Sequence, residues 1–476
     1  MAAAEGFEAH QIPFEDRAVE EGAVERISHR VSFVARQTRN AGAQGQRGFH
    51  HPGAGPAARR RPECAYPGRD RAYCHPAVVR TGVSPIESAD VVVVGAGIIG
   101  AACAEALSRA GRRVLVVDRG APAGATTASG EGNVLLSDKA PGPELALALA
   151  ARRRWPALLE SLRGELGDLA DVEWEAKGGL VVATSPDSVG SLRIISDAQR
   201  EAGVEVHSLG PEGARKLEPH LTGTVTAAAH YPEDAQLHPV LAATALLAAV
   251  RARGGAVVGG VEADGLVVRG GRVAGVRIGG AAVPCGAVVN ACGPWAGHFS
   301  VAAGAPIEVM PRRGMILVTA PLPPLVRRKV YAADYVAAVS SGDVDLQVST
   351  VVESTAAGTV LIGSSRQRVG FDDSLEVEVL RRLARNAIRL FPVLEGVPVM
   401  RAYGGFRPYT PDHLPVIGED PRMRGLWHAS GHEGAGIGLA PATGRLLADL
   451  MDGRRPEVDP VPFRVDRPAL MAEVRT

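Results

Sequence analysis

The chain has no net charge at neutral pH, because its 52 lysine and arginine residues are balanced by 52 aspartate and glutamate residues. Proteins that bind nucleic acid or acidic surfaces usually carry a basic excess. The balance therefore gives no indication of a nucleic-acid partner, and a small molecule is the expected ligand.

Cysteine is scarce, with five residues in a chain of 476 and no Cys-x-x-Cys pair among them. Cys64 and Cys74 are too badly spaced for an iron–sulfur module. Cys103 and Cys292 fall in segments with buried α/β character, where a free thiol behaves as a small hydrophobic group. The pattern predicts a reduced, cytoplasmic setting and no metal site.

Long hydrophobic runs are also missing. The longest, residues 91–104 and 240–250, are shorter than the ~18 residues that a membrane-spanning helix needs. We therefore predict neither a transmembrane helix nor the apolar core of a signal peptide.

Residues 1–88 lack any sustained hydrophobic period, and they are rich in arginine, including the run Arg59 to Arg61. Their many acidic residues argue against a mitochondrial transit peptide, which should be poor in acids. The segment is not expected to fold, and two interpretations remain: it is a disordered tail, or it is a mis-annotated extension that lies upstream of the true start of the protein. We favour sequence upstream of the true start, because Val83 lies just before the first strand and a valine codon can serve as a bacterial start.

The most informative segment is residues 90–118, which reads as a strand, a glycine turn, a helix and a second strand. Gly95 permits a tight turn, Gly97 lets the backbone approach a pyrophosphate, and Gly100 lets the helix pack on the strand. The second strand ends at Asp118, where a ribose would lie. The spacing predicts a dinucleotide-binding βαβ unit with the pyrophosphate at the helix N-terminus; a glycine loop in an ordinary α/β fold is the alternative.

The remainder alternates between helical and strand patterns. Helical periodicity covers residues 98–110, 144–166, 191–202, 239–253, 375–391 and 440–451. Strand character covers residues 172–184, 257–261, 265–269, 273–278 and 287–292 and much of 311–362. The change near residue 167 indicates a second domain.

A second glycine-rich region occupies residues 404–418 and 425–438. Its last turn, residues 431–438, opens a helix whose N-terminus carries about half a positive charge. Aimed at the pyrimidine end of an isoalloxazine, this charge would stabilise the negative charge that develops when a flavin is reduced. Because an NAD enzyme has no need of such a turn, a flavin is predicted; a flexible surface loop is the alternative.

Several segments together resemble the D-amino-acid oxidase family of FAD enzymes, which includes glycine oxidase, sarcosine oxidase, D-amino-acid dehydrogenase and the flavin subunits of hydroxyproline and glycine dehydrogenase complexes. The resemblance runs in order from residue 90 to about residue 455. Its motifs are residues 95–100, the loop 126–133, the strand 288–293 with Trp295, the turn 311–314 and the block 405–438.

The resemblance and the pattern of elements predict an α/β fold in an α+β two-domain arrangement. A Rossmann-like FAD-binding domain would be assembled from discontinuous segments, and an antiparallel sheet would form the substrate domain. The expected bounds are 89–166, 237–299 and 403–457 for the FAD-binding domain, 167–236 and 300–402 for the substrate domain, and 458–476 for a C-terminal tail.

The resemblance also implies which residues hold the cofactor. The pyrophosphate turn, the adenosine contacts, the ribityl side and the flavin edge would use Gly95, Ala96, Gly97, Ile98, Ile99, Gly100, Asp118, Arg119, Thr126, Thr127, Gly132, Asn133, Val261, Gly293, Gly431, His432, Glu433, Gly434, Ala435, Gly436 and Ile437. Asp118 stands where the family usually has glutamate. Nothing in the flavin loop resembles a covalent attachment site, so non-covalent FAD is expected.

Arg407 is the leading substrate-binding residue, since it matches the arginine of the family's Gly-Phe/Leu-Arg-Pro motif, which holds a carboxylate. A guanidinium pairs with a carboxylate in a bidentate and geometrically strict way. Arg407 would fix an amino or imino acid so that its α-hydrogen points at flavin N5, and hydride transfer would follow from the neutral amine. The alternative is an arginine that forms a salt bridge with Asp412 or Glu433.

Other candidates have weaker support. His432 and Glu433 lie in the predicted flavin turn, where they could accept the amine proton or could simply bond to the backbone. Tyr409 could donate to a carboxylate, and Tyr331 and Tyr335 are alternatives. His238, before a predicted helix, is expected to be structural.

The sequence thus predicts an FAD-dependent oxidoreductase that converts the C–N bond of a small amino or N-alkyl amino acid into an imine, which water hydrolyses. O2 or another electron acceptor would reoxidise the flavin. The alternative is an electron-transfer subunit of a hetero-oligomeric dehydrogenase for hydroxyproline, glycine or an opine-type substrate. A homo-oligomer is equally compatible with the sequence.

Overall fold

A computed structural model describes residues 88–333 and 346–470. Its strands are Ala89–Val94 (β1), Val114–Asp118 (β2), Asn133–Val134 (β3), Gly179–Ala183 (β4), His207–Leu209 (β5), Ala227–Tyr231 (β6), Ala235–Gln236 (β7), Ala256–Gly259 (β8), Ala263–Arg269 (β9), Arg272–Ile278 (β10), Ala281–Asn290 (β11), Met310–Thr319 (β12), Lys329–Ala332 (β13), Gln347–Ser354 (β14), Val360–Arg366 (β15), Val399–Tyr409 (β16), Val416–Glu419 (β17) and Leu426–Ser430 (β18). The described helices are Ile98–Arg109 (α1), Pro143–Leu166 (α2), Pro186–Glu201 (α3), Pro211–Leu217 (α4), Pro239–Ala252 (α5), Ala296–Ala302 (α6), Val377–Leu390 (α7) and Gly436–Met451 (α8).

The first sheet has the strand order β17-β18-β11-β1-β2-β8, and β9 and β10 extend it from β11 as antiparallel hairpins. The strands from β18 to β8 run parallel to one another. Strand β1 lies in the middle, and its valines 91 to 93 are fully buried, as expected of a strand covered on both faces. The carboxyl ends of β1, β2, β11 and β18 therefore meet at one edge.

Helices α1, α2, α5 and α8 cover one face of this sheet. Helix α1 approaches α8 closely because both present small residues. A side chain at Gly444 of α8 would overlap the carbonyl of Ala102 in α1. The close contact fixes the N-termini of both helices near the same edge of the sheet.

The second sheet has the order β16-β12-β15-β14-β13-β4-β6-β5. It is antiparallel apart from the parallel pair β13 and β4. Helix α7 packs on it through a stripe of buried side chains that includes Val379, Leu383 and Leu390. The sequence predicted this helix over residues 375–391, and the structure has it at Val377–Leu390.

Several boundaries differ from the sequence expectations; for example, the helix predicted from residue 191 begins at Pro186, and the strand predicted over 287–292 is Ala281–Asn290. The strand predicted over 172–184 is shorter, because only Gly179–Ala183 pairs within the sheet. Helix α8 begins at Gly436, one turn before the predicted start. Strand β16 continues to Tyr409 in the second sheet, so the predicted boundary at residue 403 falls inside a strand. The other domain bounds given from the sequence stay predictions.

The segment predicted as a C-terminal tail packs on the body of the protein as far as it is described. Residues 458–470 form two short 3-10 turns, and Phe463 and Leu470 are fully buried. Arg467 pairs with Asp412 at 2.6 Å. The extension predicted over residues 1–88 lies outside the described residues except for Ser88, and Tyr335 and residues 471–476 lie outside them too. Among the helices that the structure describes, none has the length and apolar character to cross a membrane.

Candidate active site

The first glycine turn has the geometry that its spacing predicts. Gly95 has φ of +107°, a conformation that favours glycine, and a side chain there would overlap the carbonyl of Ala291. A side chain at Gly100 would overlap the Gly95 carbonyl, whereas one at Gly97 would meet only the Thr127 hydroxyl, at 3.2 Å. Gly95 and Gly100 are therefore required by packing, while Gly97 leaves backbone accessible to a ligand.

Asp118 fixes this turn at the end of β2. Its carboxylate accepts the N–H of Ala96 at 2.7 Å and the N–H of Gly120 at 2.8 Å. Each carboxylate oxygen has two lone pairs, so the same oxygens can still accept ribose hydroxyls. The neighbouring Arg119 guanidinium lies 4.3 Å from the centre of the Trp295 ring.

The loop after β2 joins the two sheets through adjacent threonines. The Thr127 hydroxyl accepts the N–H of Ile98 at 2.9 Å, at the start of α1. The Thr126 hydroxyl donates to the carbonyl of Phe406 at 2.7 Å, in β16. The loop therefore lies between the predicted pyrophosphate turn and the strand that carries Arg407.

Two further predicted cofactor residues lie at the same edge. Gly293 follows β11, and its carbonyl accepts the Ser430 hydroxyl at 3.0 Å. Val261 is not in a strand, because β8 ends at Gly259; it lies in the connection to β9, and its N–H donates to the Asp118 carbonyl at 3.0 Å. The segment leaves β8 early because Gly260 has φ of +75°.

The second glycine turn, residues 431–437, meets the first at the start of α8. A side chain at Gly436 would contact Ile99 at 3.7 Å, and one at Gly438 would contact the Asn133 carbonyl at 3.1 Å. Gly132, just before Asn133, has φ of +94°, a backbone conformation that favours glycine. The structure thus brings together the residues predicted for the pyrophosphate, the ribityl chain and the flavin edge.

His432 is 2% exposed. Its Nε2 lies 3.0 Å from the Thr443 hydroxyl, and its Nδ1 has no hydrogen-bond partner among the described residues. Burial lowers the pKa of His432 to about 3. The imidazole is therefore neutral and a poor proton acceptor, which argues against the proton-transfer role considered from the sequence.

Glu433 contacts both strands of the β12–β16 pair and the loop after β16. Its N–H donates to the Pro408 carbonyl at 2.9 Å. Its carboxylate lies 2.9 Å from Nδ1 of His413 and 3.4 Å from Nη1 of Arg312. Glu433 thus ties the flavin turn to β12 and β16.

These features fit a flavin dinucleotide. Gly97 and Ala435 cap α1 and α8 without any side-chain hydrogen bond, and neither helix has an acid in its first turn. Uncapped helix N-termini attract anionic groups. The buried and unpartnered Nδ1 of His432 adds a polar atom that a bound ligand would satisfy.

Arg407 lies between the second sheet and the flavin turn. A side chain at Gly314 would overlap its guanidinium, and one at Gly434 would contact its Nε at 3.4 Å. Its Nη1 donates to the Ser365 carbonyl at 2.9 Å. Asp412 and Glu433, the acids considered as its salt-bridge partners, are engaged by Arg467 and by His413 with Arg312.

The remaining candidates, Tyr409, Tyr331 and His238, lie in different parts of the structure. Tyr409 is buried at the end of β16, on the same face as Arg407, and its ring centre lies 5.6 Å from the Arg312 guanidinium carbon. Tyr331 instead bonds to Ser137 in a buried polar cluster. His238 caps α5 by accepting the N–H of Leu241 at 3.3 Å, a structural role.

Sequence reasoning missed two groups of charged residues at this site. Arg312 is 1% exposed and lies directly opposite Arg407 in the β12–β16 pair. Lys329 pairs with Glu353 at 3.0 Å and Glu131 at 3.4 Å, and its Nζ donates to Asn133 at 2.5 Å. Arg312 belongs to the motif at residues 311–314, so the sequence did contain a signal for it. Lys329 belongs to no motif.

Comparisons with known proteins identify the family and the fold. The model of a family described as "DAO: FAD dependent oxidoreductase" matches residues 90–450. The glycine oxidase of Geobacillus kaustophilus is 30% identical over 383 residues, which are 79% of this chain and 97% of that protein. The hydrogen cyanide synthase subunit HcnC of Pseudomonas aeruginosa is 30% identical over 418 residues, which are 79% and 96% of the two chains. The crystal structure of the Geobacillus glycine oxidase aligns with a TM-score of 0.72 at 28% identity, over 80% of this chain and 99% of that one.

Proposed function

The chain belongs to the family of FAD-dependent oxidoreductases, and from this premise we propose that it oxidises the C–N bond of a small amino or N-alkyl amino acid. The product would be an imine, which water hydrolyses to an oxo acid and an amine. One of its relatives is named glycine oxidase, a name that describes the oxidation of a small amino acid.

The position of Arg407 carries the proposal. The guanidinium lies over Gly314 and beside Gly434, so it joins the sheet expected to bind substrate to the turn expected to contact flavin. A carboxylate bound there would hold its α-carbon near the flavin edge. Orientation of this kind supplies much of the rate enhancement when the cofactor performs the chemistry.

The cofactor would be held along the edge of the first sheet. Gly95, Gly97 and Gly100 would receive the pyrophosphate, and Asp118 would receive the adenosine ribose. Thr127 and Asn133 would lie along the ribityl chain, and the turn from Gly434 to Ile437 would lie at the flavin. When bound, FAD supplies the acceptor for the two electrons and two hydrogens that leave the substrate.

The protein's part in proton transfer is small. Burial keeps His432 neutral, and Glu433 is occupied by Arg312 and His413. The amine would therefore reach the site neutral or lose its proton to solvent on entry. The predicted cytoplasmic setting is part of this proposal, and the three described cysteines are free thiols.

A second candidate is an electron-transferring subunit of a larger assembly. The relative HcnC is named as a subunit of hydrogen cyanide synthase. The two candidates differ in whether the isolated chain turns over with O2 alone. Oxygen consumption by the purified flavoprotein, compared with dye reduction in the presence of an artificial acceptor, separates them.

The test is Arg407→Ala, followed by anaerobic flavin bleaching with glycine, sarcosine, proline, hydroxyproline and D-amino acids. We expect the transition state for carboxylate substrates to lose about 2–5 kcal/mol, because their charge is left without its buried partner. Flavin content should be retained. The matched control is Arg401→Ala, which removes an exposed arginine from the same strand. An equal loss with amines that lack a carboxylate would refute the role of Arg407.

A further inference from the structure

Glu131 belongs to the loop that joins the two sheets, two residues before Asn133. Ser129, in the same loop, lies over Gly405 of β16, where a side chain would overlap it. Glu131 reaches further across the second sheet, to β15, where a side chain at Gly363 would overlap its Oε1 atom. The loop expected to contact FAD therefore carries a carboxylate onto the sheet expected to bind substrate.

Glu131 and Arg407 lie over the same face of the second sheet. The Arg407 guanidinium lies over Gly314 of β12. Gly314 and Ile316 are two residues apart in this strand, so they point to one face. The Ile316 side chain lies 3.9 Å from the position that a Cβ atom would take at Gly363, under Glu131. A carboxylate and a guanidinium thus share the face that meets the flavin turn.

The two carboxylate oxygens of Glu131 differ in their partners. Oε2 accepts an N–H of the Asn133 side chain at 3.0 Å and lies 3.4 Å from Nζ of Lys329. Oε1 is buried and has no hydrogen-bond partner among the described residues, and Glu131 as a whole is 9% exposed. Although burial opposes ionisation, Lys329, Asn133 and Arg407 keep the pKa of Glu131 below its usual value. An ionised carboxylate can only accept hydrogen bonds, and an unsatisfied buried acceptor is costly. A ligand that donates to Oε1 would remove this cost.

The position of Oε1 favours the substrate over the cofactor as that ligand. Oε1 lies against β15 of the second sheet, whereas the glycine turns expected to hold FAD lie at the edge of the first. Continuing the register of β12 and β15 puts Gly314 and Gly363 in diagonal positions, about 7–8 Å apart. In an α-amino acid one carbon joins the carboxylate to the amine. An amino acid whose carboxylate is bound by Arg407 can therefore direct its N–H groups toward Oε1.

We propose that Glu131 binds the amine of the substrate, with Oε1 accepting a hydrogen bond from an N–H group while Arg407 holds the carboxylate. The inference rests on the proposed function and narrows its substrates to amino acids with a primary or secondary amine, because a neutral tertiary amine has no N–H to donate. The donated hydrogen stays on nitrogen, so Glu131 orients the amine and does not act as a base. Contacts on both sides of the α-carbon fix its orientation toward the cofactor.

The first test measures binding without turnover. The flavin absorbance of the wild-type holoenzyme is titrated with two pairs of carboxylates in which a methyl group replaces the amine. The pairs are 2-aminoisobutyrate against pivalate, and 1-aminocyclopropanecarboxylate against 1-methylcyclopropanecarboxylate. Neither amine has an α-hydrogen, so neither can be oxidised. We expect the amine of each pair to bind about 10- to 100-fold more tightly, as expected for a hydrogen bond to a charged group. Equal affinity within both pairs, or no binding of either amine, would overturn the proposal.

The second test is Glu131→Gln in the same titrations. The amide keeps an oxygen for Lys329 and Asn133 and turns an N–H group toward the ligand, where the wild-type protein has an acceptor. We expect the preference for the amines to disappear, while the flavin content is retained and the affinities for the methyl ligands do not fall. Glu131→Asp, which keeps the charge on a shorter side chain, should retain part of the preference. If Glu131→Gln did not retain FAD, Glu131→Asp should still show the reduced preference.

The matched control is Glu353→Gln. Glu353 is 1% exposed and pairs with Lys329 at 3.0 Å, so this variant disturbs the same buried lysine. It should keep the preference for the amines. Equal loss of the amine and methyl ligands in Glu131→Gln would show that Glu131 only supports the loop, and would contradict a contact with the amine.

Failure of this inference can be told apart from failure of the proposed function. Anaerobic flavin bleaching is compared for sarcosine and N,N-dimethylglycine, and we expect only sarcosine to bleach the flavin readily. Equal bleaching by both would overturn the role of Glu131 and leave amino-acid oxidation intact. Preference for the amines in the titrations without bleaching by any amino acid would refute the proposed function and retain the amine subsite.

Discussion

The central strands of the two sheets bury different kinds of side chain. In the first sheet, β1 and β2 are filled with valine and leucine, and Val91, Val92 and Val116 are fully buried. In the second, the strands β12 to β15 bury charged groups, among them Arg312 and Lys329. Apolar packing, with Asp118 at the end of β2 and Thr127 at the start of α1, fixes the edge at which we propose that the cofactor lies. Burial of charged groups costs desolvation energy, and their presence in the second sheet agrees with the proposal that a charged substrate binds there.

The comparison also separates what each region contributes to stability. A buried ion pair contributes little net stability compared with hydrophobic residues of similar volume, but removing one partner is strongly destabilising. The first sheet should therefore tolerate conservative apolar changes. The second sheet should fail when a single charge is removed.

The largest expected effect follows from Lys329→Met. Burial opposes the ionisation of Glu131, but Lys329, Asn133 and Arg407 outweigh it and keep its pKa below the usual value, whereas burial raises the pKa of Glu353. Without Lys329 both acids lose their central partner. We expect the free energy of unfolding to fall by about 3–5 kcal/mol, measured by urea denaturation of the flavin-loaded protein.

The control for this variant is Lys216→Met, which breaks an exposed pair with Glu212 at 3.1 Å. Its effect should stay within about 0.5 kcal/mol. Combining Lys329→Met with Glu353→Leu should recover part of the loss, because one of the stranded charges is removed. If Lys329→Met proves as mild as the control, the contrast between the sheets does not hold.

The same contrast explains what the sequence could predict. The glycine turn of Gly95, Gly97 and Gly100, helix α1 and Asp118 follow from local spacing, and the structure places them as expected. Family, fold class and FAD dependence followed from motifs that extend over most of the chain. Local patterns suffice here because backbone geometry determines the first site.

The charges of the second sheet could not be predicted in this way. Arg312 meets Arg407 only because β12 and β16 pair in one particular register, although the two residues are far apart in the chain. Lys329 meets Glu131 and Glu353 from three separate segments. Such contacts depend on tertiary structure, and no spacing within the sequence encodes them.

A second prediction concerns pH and Asp234, which is fully buried beside Ser137 and accepts the N–H of Leu136 at 2.8 Å. Burial raises its pKa from 3.8 to about 7. Between about pH 4 and pH 7 the folded protein therefore holds a proton that the unfolded chain releases, so stability decreases as the pH rises through this window. Because one pKa unit corresponds to 1.36 kcal/mol, the decrease is at most about 4 kcal/mol.

Asp234→Asn removes this dependence, since an amide can keep the bond from Leu136 and donate to Ser137. The melting temperature of the variant relative to wild type should rise between about pH 4 and pH 8. The control is Asp197→Asn, whose side chain is 45% exposed. A constant difference between variant and wild type across this range would show that Asp234 does not titrate in the folded state.

The smallest expected effects come from substitutions of Thr126 and Thr127, whose loop joins the two sheets. These variants test most directly whether the cofactor site and the substrate site are separate. Thr127 supports the start of α1 and Thr126 supports β16, through single hydrogen bonds of 2.9 and 2.7 Å. Each bond should contribute about 0.5–1.5 kcal/mol. Thr127→Val should weaken FAD binding with little change in KM at saturating FAD. Thr126→Val should raise KM for the amino acid by a larger factor than it weakens FAD binding, because it loosens the strand that carries Arg407. If both variants changed FAD affinity alone, the loop would belong entirely to the cofactor site, and the second sheet would be positioned without it.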